Sequence, residues 1–502
     1  MLFNSYQFIF VFMPIVLAGF FLISRKSHRG AIVWLTLASI FFYSYWSLYA
    51  LPILAISICI NYLLGLQITN SNFKHRQALL FFAITANLLA LGYFKYANFF
   101  IENTNELRIF IGLDAIDSMD IALPIGISFF TFTQIAFLID SYQDSAQERN
   151  FLHYVLFVTF FPHLLAGPLI HHKQMMPQFS DYKNFIISKD KFLLGIVIFT
   201  IGLAKKVLLA DSLSSFVDGF FNSLHQDYIP NFWTSWLGSL AYTFQLYFDF
   251  SGYSDMAVGL GLLFGILLPF NFNSPFKATS IIDFWQRWHM TLTKYVGQYL
   301  YTPITFKFMK MGQEKSLITK IILSLVIPTI LIFLIMGLWH GANWTFVLFG
   351  GMHGLYIVAN HIWRKFFPIP GKNKIVHYKK MKKITGWLLT FLAVNFANVM
   401  FRSDDVSTAD KIYQSMLGLN GFIIENLNEW FLGLQLVFLI LTCSLLITFF
   451  LPNTLSITNN PKKYIPNNAK LVYPMIIALF GLICGLSVLN TSHQTTFLYF
   501  KF

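Results

Sequence analysis

In Gly337-Leu338-Trp339-His340-Gly341-Ala342-Asn343-Trp344 a histidine stands between two apolar runs, with glycines close by and an amide three residues on. Histidine is the usual general base because its ordinary pKa lies near neutral pH. Asn343 and the backbone amides of Gly341 and Ala342 are donors of the kind that steady an oxyanion. Trp339 and Trp344 would wall such a site against water. A base beside oxyanion donors in a dry place is what acyl transfer onto a hydroxyl requires. The competing reading is a histidine that hydrogen-bonds between helices; the glycine-flanked break favours chemistry at His340.

His353 follows 13 residues later, within Gly350-Gly351-Met352-His353-Gly354. At ~3.6 residues per turn it falls about 220° further round a helix, so a shared face is not required. Two roles stay open for it: helix packing, or support of His340. Gly350 and Gly354 form a G-x-x-x-G step, whose ordinary meaning is close helix packing. A second polar candidate is the run Asp283-Phe284-Trp285-Gln286-Arg287-Trp288-His289, where an acid, an arginine and a histidine fall within one short segment. It predicts a fixed polar network around His289, structural or catalytic, with Asp283, Arg287 and Trp288 as supporting residues. His163, His171 and His172 flank Gly167-Pro168, and solvation at a membrane interface explains them. The sequence has no Ser-His-Asp order, no metal-ligand spacing and no G-x-x-x-x-G-K-[ST] phosphate loop. The expectation is no bound metal, no bound cofactor and no ATP-driven transport.

These residues must be held by elements that composition identifies. Of 502 residues, 56% are hydrophobic and 11% charged, and mean hydropathy is +0.60. This is an all-α, polytopic membrane protein, in which length counts spans rather than domains. The formal charge of +13 fits lysine and arginine gathered in cytoplasmic loops better than nucleic-acid binding. Three cysteines, Cys59, Cys443 and Cys484, lie in apolar runs and predict packing rather than disulfides.

A span needs about 20 apolar residues. Candidate spans are 6–24, 31–48, 51–68, 78–98, 121–139, 151–170, 192–210, 233–250, 255–269, 321–338, 343–363, 384–401, 430–451 and 471–489. Several are short or contain proline (Pro162, Pro328), so 11 to 13 membrane-crossing helices are expected, with re-entrant or interfacial helices among them. The first run has no basic residue before it and Arg25, Lys26 and Arg29 after it, which predicts an uncleaved helix with its N-terminus outside the cytoplasm. The 102–120 loop, with Glu102, Glu106, Asp114, Asp117 and Asp120, reads as external. The 364–383 loop is basic throughout (Arg364, Lys365, Lys372, Lys374, Lys379, Lys380, Lys382, Lys383) and reads as cytoplasmic. An acidic 402–429 loop and a basic 452–470 loop continue the alternation and leave the C-terminus outside. Basic flanks at Lys315–Lys320 and Arg364–Lys383 then set His340 deep in the bilayer or towards its outer leaflet.

The segment 271–320 breaks the pattern. Trp285, Trp288, Tyr295, Tyr299 and Tyr301 alternate with Lys277, Arg287, Lys294, Lys307 and Lys310. It reads either as an amphipathic segment anchored at the headgroups or as the lining of a cytoplasmic entrance for a phosphate-bearing ligand. With no internal repeat or appended soluble domain, residues 1–502 are expected to form one integral-membrane domain, with core motifs in 120–363 and C-terminal helices in 384–502.

Taken together, these blocks resemble the membrane-bound O-acyltransferase family, in its bacterial alginate O-acetyltransferase-like branch. The resemblance is carried by Phe250-Ser251-Gly252-Tyr253-Ser254-Asp255-Met256-Ala257, by Asp283 through His289 and by Gly337 through Asn343. It extends to Leu123 through Phe129, Phe160-Phe161-Pro162 with Ala166-Gly167-Pro168, and Met400-Phe401-Arg402. The chain departs from the family pattern at Gly297-Gln298, where Arg-Asp often precedes the tyrosine block. The resemblance implies a central chamber within the bacterial cytoplasmic (inner) membrane, His340 as the essential histidine and His289 as the other recurrent polar residue. It implies acetyl-CoA as a donor arriving from the cytoplasm, a hydrolase-like partner outside it, and an exported polysaccharide such as alginate as acceptor. Alternatives are D-alanyl transfer to teichoic acid, acetyl transfer to peptidoglycan, and a non-enzymatic transporter of glycans or lipids.

Overall fold

The computed structural model describes residues 1–144, 146, 150–226, 228–366, 376–423, 427–464, 479, 481, 485, 497 and 498. Every regular element among them is helical: α1 (Gln7–Ser24), α2 (His28–Ser44), α3 (Ala50–Thr69), α4 (Arg76–Phe110), α5 (Ile127–Tyr142), α6 (Phe151–Thr159), α7 (His172–Ser180), α8 (Lys189–Ser223), α9 (Phe232–Leu263), α10 (Ile281–Trp285), α11 (Met290–Val296), α12 (Thr302–Met311), α13 (Leu317–His340), α14 (Trp344–Phe366), α15 (Val376–Arg402), α16 (Val406–Met416), α17 (Leu427–Phe450) and α18 (Thr454–Asn459). Very short helical turns join several of these.

Seven stretches among the described residues are long and apolar enough to cross a bilayer: α1, α3, α4, α8, α13, Met381–Arg402 within α15, and Gly433–Asn459. The chain is a multi-pass membrane protein. The other expected spans take several forms. Those at 31–48 and 121–139 become helices of 17 and 16 residues, and 151–170 ends its first helix at Thr159 before Pro162. The spans expected at 233–250 and 255–269 are instead joined in a single 32-residue helix, α9, which runs unbroken through Ser251 to Ser254. The span expected at 471–489 lies almost wholly outside the described residues. Helix α4 runs to Phe110, so Glu102 and Glu106 sit on a helix rather than in a loop. Lys379 to Lys383 likewise lie on α15.

The chain divides into two units, one of Met1–Leu203, Tyr253–Pro269 and Pro461–Thr491, the other of Ala204–Gly252, Phe270–Asn460 and Ser492–Phe502. In the first unit, Phe8, Phe42 and Phe161 interlock with ring centroids 5.4 to 6.1 Å apart. His163 and His172 are buried there, His163 Nε2 lying 2.8 Å from the Phe157 carbonyl. Interfacial solvation, expected from sequence, therefore explains neither. Asn61 and Asn87 exchange amide hydrogen bonds of 2.7 and 3.2 Å, satisfying two polar groups in an apolar surround.

The second unit holds the candidate site. The 271–301 segment does not lie on its surface: Phe276, Phe284, Trp285, Trp288, Tyr295 and Tyr299 are all buried. A buried ion triad joins Lys206 Nζ to Asp211 at 2.7 Å and to Asp249 at 2.6 Å. The other oxygen of Asp249 accepts the Leu498 N–H at 3.0 Å.

Candidate active site

His340 owes its position to a tight helical hairpin. Helix α13 ends at His340 because Gly341 turns extended, at φ −164° and ψ 155°. Asn343 then caps α14, its Oδ1 accepting from Thr345 N at 3.0 Å. The two helices approach backbone to backbone. A Cβ on Gly337 would collide with the Phe346 carbonyl, one on Gly350 with the Phe333 carbonyl, and one on Gly354 would lie 3.3 Å from Ile330 Cα. Gly337 pairs with Gly350, so His353 lies roughly 9 Å further along the hairpin than His340, at ~1.5 Å per residue.

Both histidines line one small cavity, together with Leu246 of α9, the segment Phe284, Trp285 and Trp288, Phe349 of α14, and Val394, Asn398 and Phe401 of α15. The α15 residues fall at i, i+4 and i+7, one face of that helix. Phe349 bridges the imidazoles, its ring centroid 6.0 Å from His340 and 4.7 Å from His353. Phe401 packs edge-on against His340 at 5.2 Å. His340 is 6% exposed and His353 1% exposed, so charge developing here is screened by rings rather than water, and nearby dipoles act strongly. The arrangement can host a base, a second imidazole and an amide around a small reacting group.

The residues expected from sequence distribute unevenly around this cavity. His340, Trp288 and His353 line it. His289 does not: it adopts φ +43° at the start of α11, with Nδ1 3.3 Å from Asn271 Oδ1 and its ring 4.7 Å from Phe250. Asn271 Oδ1 also accepts from Thr291 Oγ1 at 2.6 Å, so His289 belongs to a knot that fixes this loop. Asp283 and Arg287 form an ion pair of 2.7 Å one turn apart; Asp283 also accepts from Thr279 N at 3.2 Å, and Arg287 donates to the Asn273 carbonyl at 3.3 Å. They brace the segment carrying Trp285 and Trp288. Asn343 is placed at the hairpin turn with both ends of its amide on backbone, since Nδ2 donates to the Asp404 carbonyl at 2.8 Å. Trp339 is buried beside His340 outside the cavity lining, and Trp344 is 54% exposed, so it walls nothing.

Asn398, Val394, Leu246 and Phe349 were not singled out from sequence. For Asn398 a signal existed: two asparagines, Asn395 and Asn398, interrupt an apolar helix at a spacing of three, and polar groups inside spans are functional candidates by default.

A buried, histidine-lined cavity in a multi-pass chain fits an enzyme that works within the membrane. Residues 32–402 match the sequence profile described as MBOAT, membrane-bound O-acyltransferase family. The chain belongs to that family and is an acyltransferase, and the transporter alternative falls. It is 40% identical over 463 residues to the peptidoglycan O-acetyltransferase of Helicobacter pylori, covering 86% of this chain and 82% of the relative. It is 36% identical to a protein named as probable alginate O-acetylase AlgI of Pseudomonas aeruginosa, covering 90% and 81%. A more distant relative, the teichoic acid D-alanyltransferase of Bacillus subtilis, is 27% identical over 55% of this chain.

Proposed function

We infer that this chain transfers an acetyl group from cytoplasmic acetyl-CoA to a hydroxyl on the far side of the bacterial inner membrane, for O-acetylation of an exported glycan. The observation that carries the reading is the cavity in which His340 meets His353 and Asn398 behind aromatic walls. His340 takes the proton of the attacking hydroxyl as its oxygen bonds to the thioester carbonyl carbon. The carbon–sulfur bond then breaks, and His340 returns the proton to the departing thiolate. His353 holds the carbonyl oxygen as negative charge gathers on it. Trp285, Trp288, Phe349 and Phe401 keep water from the thioester.

The hairpin supports the direction of transfer. Lys315 just precedes α13, Lys320 lies in its first turn, and Arg364 and Lys365 lie at the end of α14, so one end of the pair is basic and cytoplasmic. The His340 turn is at the other end. The glycan is peptidoglycan or alginate, the two O-acetylation acceptors named among the relatives, and a hydrolase-like protein outside the membrane assists its esterification. The test is mass spectrometry of envelope glycans from cells carrying wild-type or His340→Ala chain. Loss of O-acetyl ester with the protein still inserted and folded is expected; esters that persist would remove His340 from the chemistry.

A further inference from the structure

The orientation of Asn398 is fixed by a one-way chain of hydrogen bonds. Ser239 Oγ donates to the Trp236 carbonyl at 3.1 Å, so its single proton is committed and it can only accept from its neighbour. That neighbour is Asn395, whose Nδ2 donates to Ser239 Oγ at 3.1 Å. The Asn395 amide is thereby turned so that Oδ1 accepts, and Thr243 Oγ1 donates to it at 2.8 Å. Thr243 in turn has spent its proton, and it accepts from Asn398 Nδ2 at 3.1 Å. All four side chains are buried. Each link leaves one choice for the next, and the last leaves Asn398 Oδ1 as the free end. Among the described residues no other hydrogen bond reaches Asn398, and the residue lines the cavity that holds His340.

We propose that Asn398 is a specificity-determining residue whose Oδ1 accepts a hydrogen bond from a neutral O–H or N–H of the substrate bound beside His340. The chain fixes the sign of the contact: an acceptor is presented, so an ester, ether or bare acyl chain gains nothing there. A hydroxyl or an amide N–H does. An acetyl group carries no such proton, so the partner is a hydroxyl of the acyl acceptor or an amide N–H of the thioester arm. A site built to bond an O–H or N–H discriminates strongly against an analogue that lacks it, because its own buried oxygen is then left unpaired. This inference rests on the acyl-transfer reading of the same cavity.

The test uses purified full-length chain in lipid nanodiscs, with acetyl-CoA as donor, and alginate oligosaccharides and muropeptides as acceptor probes. Affinity for CoA itself is read by calorimetry. In Asn398→Leu, with the same branching and number of heavy atoms, KM for the acceptor rises roughly tenfold while kcat and CoA affinity stay near wild type. If CoA affinity falls tenfold and the acceptor KM does not move, the bonded group is the amide N–H of the donor arm, and the proposal stands with that source. Thr243→Val, which releases the Asn398 amide to turn, moves the same constant in the same direction by a smaller factor. That variant carries the test should Asn398→Leu not fold. Acceptor KM and CoA affinity both within twofold of wild type in a folded variant would overturn the proposal. Transfer that survives His340→Ala sinks the base assignment, yet leaves the Asn398 effect measurable, so the two failures are distinguishable.

Discussion

The indole N–H of Trp285 donates to Nδ1 of His353 across 3.3 Å, joining the short α10 helix to the middle of α14. Indole is a donor only, so Nδ1 must offer its lone pair and the ring proton resides on Nε2. With its proton on Nε2, His353 has a donor and no free lone pair to take a proton, which suits the donor role proposed for it and leaves the proposed base role to His340.

Replacing His353 by Phe removes that donor at little cost in volume. Acetyl transfer should fall by about a hundredfold in kcat, the scale of one lost oxyanion donor, with thermal unfolding little changed. Trp285→Phe frees the tautomer and should lower kcat by roughly fivefold, corresponding to ~1 kcal/mol. Full activity in folded His353→Phe would return this residue to helix packing.

At the hairpin crossing, Gly337→Ala or Gly350→Ala drives a methyl into a backbone carbonyl. Backbone cannot step aside as a side chain does, so a cost of about 1–3 kcal/mol is expected. Gly351→Ala is the internal control, since its methyl would meet Leu334 Cδ2 at an ordinary 3.5 Å. Melting curves in detergent should separate the first two from the third; three equal curves would contradict the close crossing.

The Lys206 triad predicts an asymmetric response. Lys206→Met leaves Asp211 and Asp249 facing each other without their cation and should cost roughly 3–5 kcal/mol, seen as poor recovery of folded protein. Asp211→Asn keeps one full ion pair and removes only one charge. Its recovery should lie much nearer wild type.

Asp405 caps α16, accepting from Thr408 N at 2.7 Å. The Thr408 N–H holds its carboxyl below the usual value, helped by the Thr408 hydroxyl and against a smaller burial effect. A depressed folded-state pKa means that the cap contributes above the ordinary carboxylate range, and its contribution is lost as pH falls through the depressed value. Protection of the α16 amides against hydrogen exchange should therefore weaken in acid. Asp405→Asn, which still caps but does not titrate, should flatten that dependence.

Much of the scaffold was legible because it follows from local rules. Apolar runs marked the helices, glycine spacing marked the α13–α14 crossing, and His340 stood out as a polar group with no business in hydrocarbon. What stayed hidden depended on distance through space. His289 looked like the better partner for His340 because of its charged neighbours, but those neighbours bind one another and Asn271 claims the ring. Asn343 sits three residues from His340, yet helix capping and Asp404 take both its ends. Asn398 could be noticed as a polar residue in a span, but its direction depends on Ser239 and Thr243, more than 150 residues upstream. The fused α9 was missed: the expected spans stop at 250 and resume at 255, whereas Ser251 and Ser254 between them are buried within one helix.

The bond between Leu498 and Asp249 spans 249 positions of the chain, and Phe497 packs on Phe250 beside it at 5.7 Å. Ribosomes add roughly 5–20 residues per second, so the aspartate waits about 12–50 s for this partner during biogenesis. Through that interval one carboxylate oxygen of the buried triad lacks its backbone donor. The triad of Lys206, Asp211 and Asp249 is therefore completed only by a segment made 249 residues later, long after its own three members have left the ribosome.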